Sequence, residues 1–217
     1  MSDNHLSSGN PDFPAARAAM VASQLRPNNV TDTRLLAAMG TVPREAFLPD
    51  SRRAVAYADR PIPLTPSRAL NPPMTTARLL DALKLTSGDR LLIVGAASGY
   101  SAAVAVDLCG SVVAVEEDAT LIALAQGTAI VSAPLAAGAP DEAPFDAILI
   151  DGAVEAVPDG LVTQLAPGGR LACGVVKDGV TRLALGRKGG SSFALVDFAD
   201  AEVVILPGFA PAREFVF

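Results

Sequence analysis

The feature that most constrains the fold is a change of hydrophobic period after Asp89. From there, short apolar runs alternate with helical or glycine-rich stretches, the runs being RLLIVG, SVVAVE, TAIVS, FDAILID and GRLACGVV. Strands that alternate with helices predict an α/β fold with a doubly wound, mostly parallel sheet and right-handed crossovers. From Thr181 onward, the runs TRLALGRK, SFALVDF and AEVVILPGF read as consecutive strands. They predict an antiparallel edge.

The chain ahead of the core is predicted to be a helical annex followed by a loop. Helical patterns broken by prolines run from Pro14, and Thr31 is the predicted cap of the helix TDTRLLAAMG. A proline-rich loop extends from Tyr57 to Pro73. The length of 217 residues suits one domain. The predicted organisation is a disordered tail (1–13) and a single domain, 14–217, made of the annex and loop (14–85), the core (86–180) and the C-terminal strands (181–217).

The stretch from Ala119 to Pro140 carries no formal charge and is long enough to cross a bilayer. Its glycine, proline and polar residues instead predict a short helix, a buried strand and a loop. The N-terminus lacks the basic and then apolar pattern of a signal peptide. We therefore expect a cytoplasmic protein that has no membrane partner.

The small number of histidines and cysteines excludes several chemistries. The one histidine, His5, lies in a polar stretch, so a Ser-His-Asp or Cys-His system has no credible base, and a His/Cys zinc site lacks ligands. We expect no metal site. The net charge of −6 argues against a nucleic-acid partner. Cys109 and Cys173 stand among apolar neighbours, which favours buried thiols over a disulfide.

The segment LLIVGAASGYSAAVAVDLCGSVVAVEED predicts a ligand site. A buried strand ends at Gly95 and a helix starts near Gly99, so the turn between them faces outward at the carboxyl end of the sheet, where ligands bind in this architecture. Glu116 ends the next strand, where an acid accepts hydrogen bonds from two ribose hydroxyls. The alternative is a structural turn, with Glu116 as a solvated strand end.

The spacing of the turn separates two classes of cofactor. A dinucleotide fingerprint requires a small residue at position 100, and Tyr100 is bulky. The turn, with Ala97 between Gly95 and Gly99, instead resembles the G-x-G-x-G turn of class I S-adenosylmethionine-dependent methyltransferases.

From about Ala16 to the C-terminus the chain resembles the protein-L-isoaspartate O-methyltransferase family. The segments that carry the resemblance follow the family order: MVASQLRPNNVTDTRLLAAMGTVPREAFLP, YADRPIPL, LKLTSGDRLLIVGAASGYSAAVAV, FDAILIDGAVEAVP and QLAPGGRL. The resemblance implies a Rossmann-like methyltransferase in which S-adenosylmethionine methylates the α-carboxylate of isoaspartyl residues in damaged proteins. The ester then collapses to a succinimide. Such a transfer requires positioning and desolvation rather than a general base.

The resemblance also implies the residues of the site. The turn would hold the methionine moiety, Glu116 the ribose, and the loop at Pro134 the adenine, while Asn71 and Asp151 would lie at the acceptor. The cofactor-binding set is Gly95, Ala96, Ala97, Ser98, Gly99, Glu116, Glu117, Pro134 and Leu135.

Several positions depart from the family pattern. Ala69-Leu70-Asn71-Pro72-Pro73 stands where the family has Thr-Ile-Ser-x-Pro, so both hydroxyls are replaced. Asn71 either donates to the substrate through its amide or caps the following helix. Ile93 stands where the first strand of the family has an acid, and Ala97 stands where its turn has the middle glycine. Ala133-Pro134-Leu135 stands where the loop after the third strand of the family has Asp-Gly near the adenine.

Asp151 stands where the family usually has threonine. A carboxylate at 4 Å would repel a carboxylate substrate by roughly 1–4 kcal/mol. Asp151 therefore either favours an amine or hydroxyl acceptor or caps the turn DGAVEAVP. Arg26 and Arg60 are candidates to neutralise a carboxylate, or they form surface salt bridges. Three hypotheses remain: isoaspartyl methylation, the same fold with another acceptor, and a binding module that has lost catalysis.

Overall fold

The computed structural model describes residues 11–209 apart from 126, 128 and 191. The α-helices of this part of the chain are α1 (Phe13–Met20), α2 (Thr33–Thr41), α3 (Pro73–Leu83), α4 (Tyr100–Ala105), α5 (Ala119–Leu124) and α6 (Asp159–Thr163). Its strands are β1 (Ile62–Pro63), β2 (Ala69–Leu70), β3 (Arg90–Val94), β4 (Ser111–Glu116), β5 (Ile130–Ser132), β6 (Phe145–Val154), β7 (Leu165–Lys177), β8 (Val180–Gly189) and β9 (Ser192–Asp200).

The main sheet has the order β5-β4-β3-β6-β7-β8-β9. Its first five members are parallel, whereas β8 and β9 pair antiparallel to their neighbours. The predicted doubly wound α/β class with an antiparallel edge is therefore confirmed. Strands β1 and β2 form a separate small hairpin within the proline-rich loop.

The segment AEVVILPGF differs from its prediction as a strand. Residues 201–209 are irregular, and their only assigned pairing is a parallel bridge between Ile205 and Ala153 of β6. Two backbone hydrogen bonds form this bridge: the Val204 carbonyl accepts from the Ala153 N–H at 2.7 Å, and the Leu206 N–H donates to the Ala153 carbonyl at 2.9 Å. This segment therefore lies against the carboxyl end of β6 rather than extending the sheet edge.

Side chains of the central strands alternate between two cores, as the pleat requires. Ile93 of β3 belongs to a core shared with Leu35 of α2 and Leu79 of α3. Leu92 belongs to the core on the opposite face, together with Leu206 of the C-terminal segment. The helical annex therefore packs on one face of the sheet, and the chain beyond β9 helps to cover the other.

The annex helices begin differently from their prediction. Asp32, not Thr31, caps α2, because its carboxylate accepts from the backbone N–H groups of Arg34 at 2.8 Å and Leu35 at 3.4 Å. An ionised cap also interacts favourably with the positive end of the helix dipole. Helix α1 begins at Phe13, and residues 1–10 of the predicted tail lie outside the described residues.

The uncharged stretch after Ala119 contains a short helix and a short strand, as predicted. The strand, β5, is however an edge strand, and Val131 is 46% exposed, so the expectation of a buried strand was wrong. No helix in the described part of the chain is long and apolar enough to cross a membrane.

Both cysteines are free thiols, as predicted. Cys173 is fully buried, whereas Cys109 is only partly buried. Burial raises the pKa of Cys109 to about 11 and that of Cys173 to about 12. Because the thiolate is the reactive form, these raised pKa values disfavour reaction of both thiols at neutral pH.

A partly buried ion pair between Asp89 and Arg170 joins the amino ends of β3 and β7. The Asp89 carboxylate accepts from the Arg170 guanidinium and, at 2.7 Å, from the Thr86 N–H. Arg170 also donates to the carbonyls of Leu83 and Asp146, which connects α3 to β6 and β7. Burial alone would raise the pKa of Asp89, but these hydrogen bonds and the Arg170 charge hold it below 3.8.

We predict that Asp89→Asn lowers the free energy of unfolding by about 2 kcal/mol at pH 7. Because the folded pKa lies below the unfolded value, the stabilisation is present above pH 3.8 and is lost as the pH falls below it. Urea denaturation at pH 7 and pH 3 measures the difference. Asp50→Asn is the control, since that side chain is 88% exposed. An equal penalty for Asp89→Asn at both pH values would contradict the prediction.

Candidate active site

The turn predicted to bind the cofactor follows β3 directly, at the carboxyl end of the parallel strands. Gly95, Ala97 and Gly99 have φ values of 76°, 51° and 93°. Glycine adopts this left-handed region freely, whereas an alanine there costs roughly 1 kcal/mol. The N–H groups of Gly95 and Ala96 both donate to the Val115 carbonyl at 3.0 Å, which fixes the turn against β4.

Glu116 lies at the end of β4 beside this turn and is fully buried. Its Oε2 accepts from the Ala97 N–H at 2.8 Å. Its Oε1 accepts from the N–H groups of Glu117 at 2.9 Å and Asp118 at 3.1 Å, and from Arg68 Nη1 at 2.5 Å. Glu116 is therefore not a solvated strand end, and the turn and the acid form one hydrogen-bonded unit.

Arg68, which the sequence reasoning missed, is the counter-ion of Glu116. The side chains of the pair are 2% and 0% exposed. Arg68 Nη2 lies 3.4 Å from the Gly95 carbonyl, and its Nε has no partner among the described residues. One signal was available in the sequence, because Arg68 is the only charged residue between Pro61 and Pro73.

Asn71 holds three segments together. Its Nδ2 donates to the Asp151 carbonyl at 3.0 Å and to Asp151 Oδ1 at 2.8 Å, while its Oδ1 accepts from the Val204 N–H at 2.8 Å. The side chain does not cap α3, whose N-cap residue is Pro72. The helix-cap alternative for Asn71 was therefore wrong, because the amide is committed to β6 and the C-terminal segment.

Asp151 lies within β6 and is 6% exposed. It does not cap a turn, because β6 continues to Val154 and the carboxylate accepts from Asn71. Burial raises the pKa of the Asp151 carboxyl, and the hydrogen bond from Asn71 and the charges of Arg44 and Arg68 oppose that rise without reversing it.

Arg44 is the second buried arginine that the sequence reasoning did not single out. It is 0% exposed, its Nε donates to the Ala56 carbonyl at 2.7 Å, and its Nη2 donates to the Asn71 carbonyl at 2.5 Å. The candidate neutralising residues, Arg26 and Arg60, are exposed, and neither bonds to Asp151 in the described structure. The positive charge near Asp151 therefore comes from Arg44 and Arg68.

The predicted adenine loop, Ala133-Pro134-Leu135, contacts Glu117, which directly follows the carboxyl end of β4. The Leu135 N–H donates to Glu117 Oε2 at 3.3 Å, and Pro134 precedes the 3₁₀ turn Leu135–Ala137. The Ala133 N–H donates to the Glu116 carbonyl at 3.2 Å. The structure thus brings the predicted turn, Glu116 and the predicted loop together at the carboxyl ends of β3, β4 and β5.

Leu206 of the C-terminal segment packs against Gly95 and Gly152 at the carboxyl end of the parallel strands. A Cβ atom added to Gly95 would lie 2.8 Å from Leu206 Cδ1, and one added to Gly152 would lie 2.4 Å from Leu206 Cγ. A side chain at either position would therefore displace Leu206, and the φ of 76° at Gly95 independently favours glycine there. Ile93, by contrast, is fully buried in the sheet core and faces the annex, so it contributes packing where the family has an acid.

A parallel α/β sheet with an antiparallel edge, a buried acid beside the glycine turn, and a bulky Tyr100 that excludes a dinucleotide turn are together typical of the Rossmann-like class of methyltransferases. The family model "Protein-L-isoaspartate(D-aspartate) O-methyltransferase (PCMT)" matches residues 16–205. The chain therefore belongs to the protein-L-isoaspartate O-methyltransferase family.

Relatives of that description match most of the chain. One from Methylorubrum populi is 41% identical over 88% of this chain and 95% of its own length. Another from Koribacter versatilis is 34% identical over 93% of this chain and 96% of its own.

Two solved structures share the fold. A protein-L-isoaspartate O-methyltransferase aligns with a TM-score of 0.76 at 24% identity, over 88% of this chain and 66% of that one. A Plasmodium falciparum protein of the same description, in complex with S-adenosyl-L-homocysteine, aligns with a TM-score of 0.71 at 18% identity, over 91% and 99%. At these identities the likeness concerns the fold alone.

We predict that Asn71→Ala lowers the free energy of unfolding by about 3 kcal/mol, because it leaves the partly buried Val204 N–H and the buried Asp151 oxygens without their partner. Asn28→Ala is the matched control, since its amide forms one exposed hydrogen bond, and we expect a loss below about 1 kcal/mol. Urea denaturation of both variants measures the losses. Equal losses would show that Asn71 does not hold these segments.

Proposed function

We propose that this chain transfers a methyl group from S-adenosylmethionine to the α-carboxylate of isoaspartyl residues in proteins and peptides. The observation that carries the proposal is the buried Glu116 carboxylate fixed beside the Gly95–Gly99 turn, in a chain whose family match spans residues 16–205. Both cysteines are free thiols, which supports a reducing, cytoplasmic location.

The residues at the carboxyl end of the parallel strands fit S-adenosylmethionine. Glu116 offers a carboxylate, held in place by backbone N–H groups, to the ribose hydroxyls. The turn would offer small residues and backbone to the methionine moiety, and Pro134 and Leu135 would border the adenine. When bound, the cofactor supplies an electrophilic methyl group and its own leaving group. The protein's part is then to bind, orient and exclude water.

The acceptor side is compatible with a carboxylate despite Asp151. Burial raises the pKa of Asp151, which favours its neutral form, and Arg44 and Arg68 supply positive charge around it. Both effects reduce the repulsion that an isolated Asp151 carboxylate would exert on the substrate. No general base is required, because the substrate carboxylate is already ionised at neutral pH.

A second candidate is the same reaction on an amine or hydroxyl acceptor. It is favoured by the buried Asp151, which is able to accept a hydrogen bond from such a group, and by the replacement of both loop hydroxyls at Ala69 and Asn71. The two candidates differ in their dependence on Asp151, because only the second uses it to orient the acceptor.

We predict that an isoaspartyl peptide accepts the labelled methyl group from S-adenosylmethionine, whereas the aspartyl peptide of the same sequence does not. Label in the base-labile methyl ester measures the reaction. Asp151→Asn should retain methylation of the isoaspartyl peptide, because this variant keeps an acceptor for Asn71. No label under conditions in which a family member methylates the same peptide would reject the isoaspartyl acceptor.

We also predict that S-adenosylhomocysteine stabilises the folded chain. At 100 times its Kd the ligand should raise the free energy of unfolding by about 2.7 kcal/mol. NAD⁺ at the same concentration is the control and should have no effect, because Tyr100 occupies the third small position of a dinucleotide turn. A thermal-shift titration measures both. Absence of stabilisation by S-adenosylmethionine and S-adenosylhomocysteine would favour a binding module without catalysis.

A further inference from the structure

Arg68 connects the predicted ribose acid, Glu116, with the acceptor loop, which is the proline-rich segment from Tyr57 to Pro73. Its guanidinium bonds to Glu116 at 2.5 Å and approaches the Gly95 carbonyl at 3.4 Å. Its backbone directly precedes β2, which leads into Asn71. A movement of this side chain would therefore change both halves of the site.

We propose that Arg68 has two positions in the reaction. In the first it holds Glu116. When the ribose of the cofactor takes that carboxylate, Arg68 moves to the second position and binds the carboxylate of the isoaspartyl acceptor. The second position rests on the proposed function, whereas the first requires only that the chain bind the cofactor.

The hydrogen bonds of Glu116 support the first position. A carboxylate has about four acceptor sites, and Glu116 already accepts from three backbone N–H groups and Arg68. The three backbone donors belong to the turn and to the chain that leaves β4, so the fold fixes them. Arg68 is the only side-chain donor of the four. The ribose hydroxyls therefore compete with Arg68.

The chemistry of a released arginine supports the second position. Arginine keeps its charge, and a buried guanidinium without an anion is costly, so Arg68 requires another partner. Its Nε has no partner in the described part of the chain, and Nη2 makes only a 3.4 Å contact with the Gly95 carbonyl. Once Arg68 leaves Glu116, Nε and an Nη are therefore available to bind a carboxylate in bidentate geometry. Two residues of the loop that follows, Ala69 and Asn71, replace hydroxyls of the family pattern. Arg68 would supply the missing donor.

This arrangement predicts that the cofactor binds before the acceptor. While Arg68 bonds to Glu116, it is withheld from the substrate carboxylate. Cofactor binding then releases the group that recognises the substrate, so a carboxylate acceptor is bound only when the methyl donor is present.

The test compares Arg68→Gln with the wild-type chain and with Arg53→Gln. Arg53 is the matched control, because its side chain is 46% exposed and pairs with Asp50 on the surface. We expect Arg68→Gln to bind S-adenosylhomocysteine about tenfold more tightly by calorimetry without peptide, since the competitor is removed. We expect its KM for the isoaspartyl peptide to rise at least tenfold, with a smaller change in kcat.

The opposite signs of the two effects separate this role from a structural one, which would weaken both ligands. Unchanged or weaker binding of S-adenosylhomocysteine overturns the first position, and an unchanged KM overturns the second. Arg68→Lys keeps the charge but loses the bidentate fork, so its KM should lie between those of the wild type and Arg68→Gln. If Arg68→Gln fails to fold, Arg68→Lys decides by the same two measurements.

A separate result would identify failure of the proposed function. A wild-type chain that binds S-adenosylhomocysteine but does not methylate the isoaspartyl peptide contradicts the proposed acceptor and with it the second position of Arg68. The comparison of Kd values between the wild type and Arg68→Gln still decides the first position.

Discussion

The hydrogen bonds of the buried Glu116 carboxylate hold together the carboxyl end of the parallel strands, where the predicted site lies. The carboxylate lies inside the protein, where an unpaired charge is costly, so the chain must bring donors to it. The Gly95–Gly99 turn provides one donor, and the chain that follows β4 provides two. The loop between β1 and β2 provides the Arg68 guanidinium. The positive φ of Ala97 belongs to the same arrangement, because the turn directs the Ala97 N–H toward Glu116.

Asn71 connects the acceptor loop to the rest of the fold in a comparable way. Its amide nitrogen donates to both the backbone carbonyl and the side-chain carboxylate of Asp151. Its amide oxygen accepts from the Val204 N–H. The C-terminal segment is held at this point and places Leu206 against Gly95 and Gly152. The loop, the turn, β6 and the C-terminal segment are therefore mutually dependent, although they are far apart in sequence.

Under the proposed function, the charges at the carboxyl end of the parallel strands explain how a carboxylate substrate is tolerated beside Asp151. Asp151 is buried and bonded to Asn71, and it shares its surroundings with two arginines that are themselves buried. The cluster of Arg44, Arg68, Glu116 and Asp151 carries balanced formal charge. An incoming carboxylate thus meets a neutral or positive environment rather than an isolated anion.

The sequence by itself determined the fold class, because periodicity distinguishes the alternating strands and helices after Asp89 from the strands β8 and β9. It also located the glycine turn and Glu116, since local spacing places both at strand ends. It did not reveal the roles of Arg44 and Arg68, or the true partners of Asn71 and Asp151. Those contacts join residues up to 133 positions apart, as between Asn71 and Val204. Only the tertiary structure decides them, because which buried donor meets which buried acceptor depends on how distant segments pack, and hydrophobic pattern does not encode that choice.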